Sequence, residues 1–208
     1  MSMFARVAKR ISPATAVLFV LAGISRIDAQ QLTPESAWPR LDVYASKASV
    51  VLEVINTHFT VGRQYKSVFL RVFSDHTAEC HHLRYGMEGE QDDEKIKTLT
   101  TVEYENLRRD LDNADLLKVK EKYRHVDAVI DSWMTWDIRV PHPQGIQHIA
   151  VENFARAVFV LTPDKPYPDA LIRLGCTIRE LRLEVFGSEP GEDTKDERRA
   201  CAEYLKRQ

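Results

Sequence analysis

Five residues in one short stretch carry most of the reactive chemistry of this chain. Within Ser67-Val-Phe-Leu-Arg-Val-Phe-Ser-Asp-His-Thr-Ala-Glu-Cys-His-His-Leu83 stand His76, Glu79, Cys80, His81 and His82. Imidazole, thiolate and carboxylate are the groups that ligate zinc and activate nucleophiles. The stretch reads as two strands joined at Asp75-His76. A two-residue type I′ turn needs positive φ at both positions, and Asp and His tolerate this better than most residues. That register sets Arg71 opposite Cys80, Leu70 opposite His81 and Phe69 opposite His82. Side chains alternate along a strand, so Cys80 and His82 share one face while Glu79 and His81 share the other.

Two kinds of chemistry follow. Cys80 and His82 would give two metal ligands, with a third from His58, His142 or His148. Alternatively Cys80 would be a nucleophile activated by a nearby imidazole. No spacing motif stands behind either, so Cys80 and His82 are kept only as candidates. The sequence assigns no catalytic residue, no cofactor and no metal. It lacks the Gly-x-Ser-x-Gly elbow, the P-loop, the dinucleotide glycine pattern and the His-Glu-x-x-His helix. Asp131 and Asp137, considered as paired carboxylates, read better as the wet edge of a strand.

The elements that must hold these residues are hairpins and helices. Ser49–Ile55 is rich in β-branched residues and reads as a first strand, with Asn56–Gln64 a connection. Val68–Phe73 is apolar on both faces except at Arg71 and reads as a central strand. Gly86–Glu94 reads as a solvated acidic loop whose spacing does not match a calcium-binding EF-hand. Lys95–Leu99 reads as a short edge strand. Thr100-Thr-Val-Glu103 is a capping box that opens a helix carrying Leu107 and Leu111. Ser132–Val140 and Ile146–Phe154 form a second hairpin around Pro141–Gly145. Pro163–Pro168 opens a second helix with an apolar stripe from Leu171 to Val185, ended by Gly187. Thr194–Glu197 opens a short terminal helix. The fold class is α+β: an antiparallel sheet built from hairpins, with two main helices packed on one face and a short C-terminal helix.

The N-terminus has its own logic. Arg6, Lys9 and Arg10 precede the apolar run Ala16–Ile24, and Ser25–Ala29 follows. This order reads as an export signal with cleavage after Ala29; the alternative is an uncleaved N-terminal anchor, since Ile27 and Arg26 make an imperfect cleavage site. The run is shorter than the roughly 20 residues that span a bilayer. The chain therefore divides into a signal peptide at 1–29, a lead-in at 30–48, one domain at 49–187, and a linker with a short helix at 188–208. Residues 1–29 hold four of the 29 Lys and Arg and one of the 31 Asp and Glu, so the remainder is net −5. An acidic exported chain is a poor partner for nucleic acid, and none of the rest is a membrane segment. Export implies an oxidising compartment and a disulfide among the three cysteines. Cys176–Cys201 is favoured because both lie on helices joined by a polar link; Cys80 paired with either is the alternative.

The segment Val68–Leu83, the helix after Thr100, the hairpin Met134–Phe154 and the helix after Pro168 resemble small exported bacterial α+β domains of uncharacterised function. The arrangement is similar to the β-lactamase-inhibitor-like fold over roughly residues 49–187. Its most specific piece is the strand-turn-strand Val68-Phe-Leu-Arg-Val-Phe-Ser-Asp-His-Thr77. Such domains usually carry Gly where this chain has His76. The resemblance implies a binding or structural role and passes on no catalytic residues. The expected function is an exported, non-catalytic domain, periplasmic or extracellular. It would meet a protein or cell-envelope partner through the open sheet face or through Trp133 and Trp136. The alternative is a metal- or thiol-dependent enzyme centred on Cys80 and His82.

Overall fold

The computed structural model describes residues 44–60, 63–86, 89–123, 133–152, 167–187 and 194–206. The expected signal peptide, most of the lead-in and the 188–193 link lie outside the described residues. No helix among the described residues is long and apolar enough to cross a membrane.

The fold is mixed α+β. Its strands are β1 (Val50–Thr60), β2 (Arg63–Phe73), β3 (Thr77–Gly86), β4 (Gly89–Thr98), β5 (Lys122–Tyr123), β6 (Trp133–His142) and β7 (Gly145–Glu152). They form one seven-stranded sheet in the order β4-β3-β2-β1-β6-β7-β5. All neighbours are antiparallel except the short β5, which runs parallel to β7. Three α-helices complete the described fold: α1 (Thr101–Leu111), α2 (Asp169–Phe186) and α3 (Thr194–Lys206).

The helix ends follow the expected chemistry. Glu103 donates its amide to the Thr100 hydroxyl, and Thr100 donates its own amide to Glu103 Oε2 at 2.6 Å. That is the capping box, which satisfies amides a helix start leaves unpaired. Gly187 ends α2 at φ 87°, where a β-carbon would be strained. The apolar stripe of α2, including Leu171, Leu174, Ile178 and Leu181, is buried in the core with Leu52, Leu70, Val72 and Ile138 from the sheet. Cys176 and Cys201 are joined by a disulfide. Tyr204 adds a hydrogen bond to Asp169 at 2.7 Å, so α3 is tied to α2 at two points.

The first hairpin departs from its expected register by one residue. Arg71 pairs with Glu79 and Val72 with Ala78. The reason lies in the turn. Only His76 has positive φ, at 70°. The His76 amide donates to the Phe73 carbonyl at 3.0 Å, and Asp75 accepts from the Thr77 amide at 3.0 Å. Ser74, Asp75 and His76 thus form a three-residue loop ending in a left-handed residue, the next commonest hairpin after the two-residue type. The extra residue moves Arg71 onto the face of Glu79.

His76 holds this backbone while its ring stacks on Tyr104 of α1, with centroids 4.0 Å apart and planes at 19°. A left-handed conformation costs a non-glycine residue roughly 1–2 kcal/mol, and an aromatic pair returns about 0.5–1.5 kcal/mol. His76→Gly is therefore expected to change stability little in a urea titration, since it relieves one term and removes the other. His76→Val loses the stack and keeps the strain, and should cost about 0.5–1.5 kcal/mol, with a further penalty because a β-branched side chain fits positive φ worse than His does. A valine variant as stable as the parent would contradict this account of the turn.

Two further expectations are corrected. The acidic stretch after Gly86 is not a loop. Its residues from Gly89 onward form β4, the edge strand, paired along the length of β3. β1 runs on through the expected connection to Thr60, and β2 begins at Arg63. β2 also carries a bulge: Val54 pairs with Leu70 but Ile55 with Val68, which leaves Phe69 as the extra residue. Phe69 then joins the same buried core as Leu70 and lies against Trp136 at 4.4 Å. Arg182 of α2 donates to the Phe69 carbonyl at 2.6 Å and the His81 carbonyl at 3.2 Å, with its guanidinium 4.2 Å over the Phe69 ring. One buried cation thereby pins α2 to two adjacent strands.

Candidate functional site

The face of the sheet that carries Glu79 holds a chain of alternating charges. Each member stands in an otherwise apolar or paired strand. Arg71 of β2 is fully buried between Glu53 of β1, at 2.7 Å, and Glu79 of β3, at 3.1 Å. Glu53 continues to Arg139 of β6 at 3.1 Å, and Arg139 to Asp137 at 2.9 Å. On the other side Glu79 meets His81 at 2.7 Å, and His81 meets Asp92 of β4 at 3.1 Å. The result is a ladder of acid, base and acid across β4, β3, β2, β1 and β6.

Residues 44–48 lie over its middle. The Arg71 guanidinium sits 4.5 Å over the Tyr44 ring, which also packs edge-on to Phe73 at 6.2 Å. The Ala45 amide donates to Glu79 Oε2 at 3.2 Å, and the Ser46 hydroxyl donates to Asp75. The end of the expected lead-in is thus part of the folded domain.

The protonation states follow from these contacts. Burial works to raise the Glu79 pKa, but the His81 hydrogen bond, the Arg71 charge and the Ala45 amide outweigh it and hold the carboxyl below its ordinary value. Burial works to lower His81, but hydrogen bonds to Glu79 and Asp92 and their charges raise it. Both ring nitrogens face carboxylates, so the protonated ring donates to Glu79 and to Asp92.

The residues singled out from sequence behave differently. Cys80 and His82 do share a face, as alternation requires, but it is the opposite one. Cys80 is a free, fully buried thiol. Burial, partly countered by Arg182, pushes its pKa up to about 12. A thiolate nucleophile is incompatible with that environment. His82 is half-buried with its ring 5.7 Å from that of Phe186. None of the proposed third ligands joins them. His58 lies beside Tyr65, His142 meets Gln147 at 3.2 Å, and His148 is 3.8 Å from Asp137. Trp136 is 2% exposed and packed under Arg179, so it is a core residue and not part of an exposed aromatic patch. Burial of its large ring against the Phe69 bulge accounts for this. The side chain of Trp133, like residues 124–132 with Asp131 and His125, lies outside what is described.

Among the described residues, one group brings three potential metal ligands together: Glu79, His81 and Glu94, with donor atoms within 4.8 Å of one another. Sequence reading missed the ladder and this group, although a signal was present. Glu53 and Arg71 are isolated charges inside apolar runs, where a charge persists only if a neighbouring strand supplies its partner.

A concavity of about 440 Å³ lies between α1 and α2. Asp110 in its wall accepts from the Thr177 hydroxyl, and burial raises its pKa against the pull of that bond and of Arg173 and Arg109. It is a polar groove with no convergent reactive set. Comparison of the chain with known protein families, with curated proteins and with solved structures finds no match.

Proposed function

We propose that this chain is an exported, non-catalytic domain with a binding or structural role in the cell envelope or extracellular space. The charge ladder carries this reading. The groups best suited to chemistry are committed to one another, and the thiol that would serve as a nucleophile is sealed in the core. A catalytic centre needs groups poised towards a substrate, whereas a ladder of satisfied charges defines one rigid surface. The closed Cys176–Cys201 bridge supports export, because such bonds persist in oxidising compartments.

On this reading α1 and α2 cover the face bearing Cys80 and Trp136. The ladder face, with residues 44–48 across it, is then turned towards a protein or envelope partner, and Trp133 at the start of β6 is the remaining aromatic candidate for that contact. The twofold succession of hairpin and helix keeps the likeness to small exported α+β domains, β-lactamase-inhibitor-like in pattern, within this reading.

Export is the part most directly tested. The full chain, expressed with its own N-terminus in a bacterial host, should be recovered outside the cytoplasm as a shorter protein beginning near Gln30. Under denaturing conditions it should show one reactive thiol, Cys80. Full-length protein held in the cytoplasm with all three cysteines reactive would overturn the proposal.

A further inference from the structure

We propose that Glu79, His81 and Glu94 form a site for one divalent transition-metal ion, with zinc as the best-fitting ion. The register brings them together. Glu94 of β4 pairs directly with His81 of β3, and Glu79 stands two residues along β3 on the same face. One imidazole and two carboxylates make a mixed nitrogen and oxygen set of the kind zinc accepts, and manganese after it.

Three details favour a site over a chance cluster. His81 Nε2 and Glu79 Oε1 are already 2.7 Å apart. Two ligands at the tetrahedral angle, each about 2.1 Å from a zinc ion, stand roughly 3.4 Å from each other, so an ion can replace the shared proton once the pair opens by about 0.7 Å. Next, His81 Nδ1 is bonded to Asp92 Oδ2 at 3.1 Å. A carboxylate on the far nitrogen is the usual outer partner of a metal-bound histidine, fixing its tautomer and its direction. Finally, Glu79 is oriented by Arg71 and by the Ala45 amide, while Glu94 is exposed and gives access from solvent. The Arg71 charge opposes an incoming cation, but it is shared with Glu53.

On binding, the bond from Nε2 to the metal forms as one proton leaves Nε2 for solvent, while Nδ1–H stays on Asp92. Three protein ligands leave the remaining positions to water. The site lies on the opposite face from Cys80 and His82. It does not depend on the export and binding reading, and either can fail alone.

The test is calorimetric titration of ZnCl₂ into tag-free, chelator-stripped full chain, with MnCl₂ and MgCl₂ as comparison arms. One equivalent of zinc should bind, more tightly than manganese and far more tightly than magnesium. Glu94→Gln, at an exposed position where folding is not at stake, should weaken zinc at least about tenfold, and Asp92→Asn about 10- to 100-fold. Glu105→Gln on α1, Cys80→Ser and His82→Gln should leave affinity unchanged. Absence of saturable zinc binding up to millimolar concentration would overturn the proposal. Binding indifferent to both Glu94→Gln and Asp92→Asn would do so equally, since it would place the ion elsewhere.

Discussion

Arg71→Met is expected to destabilise the domain by about 3–5 kcal/mol, the cost of breaking a buried ion pair from one side. Arg71 has no exposed surface, and its guanidinium contacts Glu53 through two nitrogens at 2.7 and 2.9 Å and Glu79 through a third at 3.1 Å. Methionine fills much of the volume but supplies no donor. Two carboxylates, one of them 1% exposed, would then face each other across a single strand with little water to screen them. Since folded domains are stable by only about 5–15 kcal/mol, a large part of the margin disappears.

Two comparisons separate charge from packing. Arg71→Met combined with Glu53→Gln and Glu79→Gln should recover much of the loss, because buried ionic triads replaced as a unit are often neutral. Acidification should also narrow the gap between Arg71→Met and the parent, because the Arg71 charge helps to hold the Glu79 carboxyl below its ordinary value, and without it Glu79 takes up a proton more readily and sheds the stranded charge. Urea titrations at neutral and acidic pH measure both. A single variant within about 1 kcal/mol of the parent would show the ladder to be a surface ornament of the kind worth little in water.

Loss of the disulfide is the second large effect. The bridge joins cysteines 25 residues apart in sequence. Loop-closure entropy puts the loss in Cys176→Ser/Cys201→Ser between roughly 3 kcal/mol, the figure for a 15-residue loop, and about 4.7, that for 100 residues. The damage should fall unevenly. α2 remains in the core through Leu171, Leu174 and Ile178. α3 keeps Tyr204 against Asp169 but loses its covalent tie. Amide exchange in α3 should therefore accelerate by about a hundredfold or more, at about 1.4 kcal/mol per tenfold, while β1 and β2 respond only through the global loss. Uniform acceleration across all elements would mean that α3 does not open separately. Cys80 offers no rescue, since with both other cysteines replaced it has no intramolecular partner.

Much of the architecture was legible because local chemistry agreed with the global fold. The Thr100 capping box, the apolar stripe of α2 and Gly187 at its end are written in local sequence, and the Cys176–Cys201 pair needed only two helices joined by a polar link. Alternation correctly divided Glu79 and His81 from Cys80 and His82. What failed was whatever depended on a count across a turn or a contact between distant strands. A single extra turn residue, with His76 in place of the customary glycine, moved Arg71 to the other side of the register. β4 was hidden because its acids suggest solvation. Its Asp92 lies beside His81 only once β3 and β4 are paired. Trp136 looked like an interface aromatic until the Phe69 bulge, which has no sequence signature here, supplied its packing partner.

The position of β1 has a consequence for the order in which the chain assembles. β1 to β4 are joined by short connections and can zip up in sequence, but the other side of β1 is completed by β6. Glu53 and Arg139 on these two strands are 86 residues apart. Contacts at that separation form late, because chain entropy must be lost before they can contribute. A chain emerging N-terminus first therefore presents an apolar, unpaired β1 border until the second hairpin arrives. That interval, not the finished fold, is where association between copies should compete with folding. It should lengthen whenever β6 is weakened, even by substitutions that leave the native state intact.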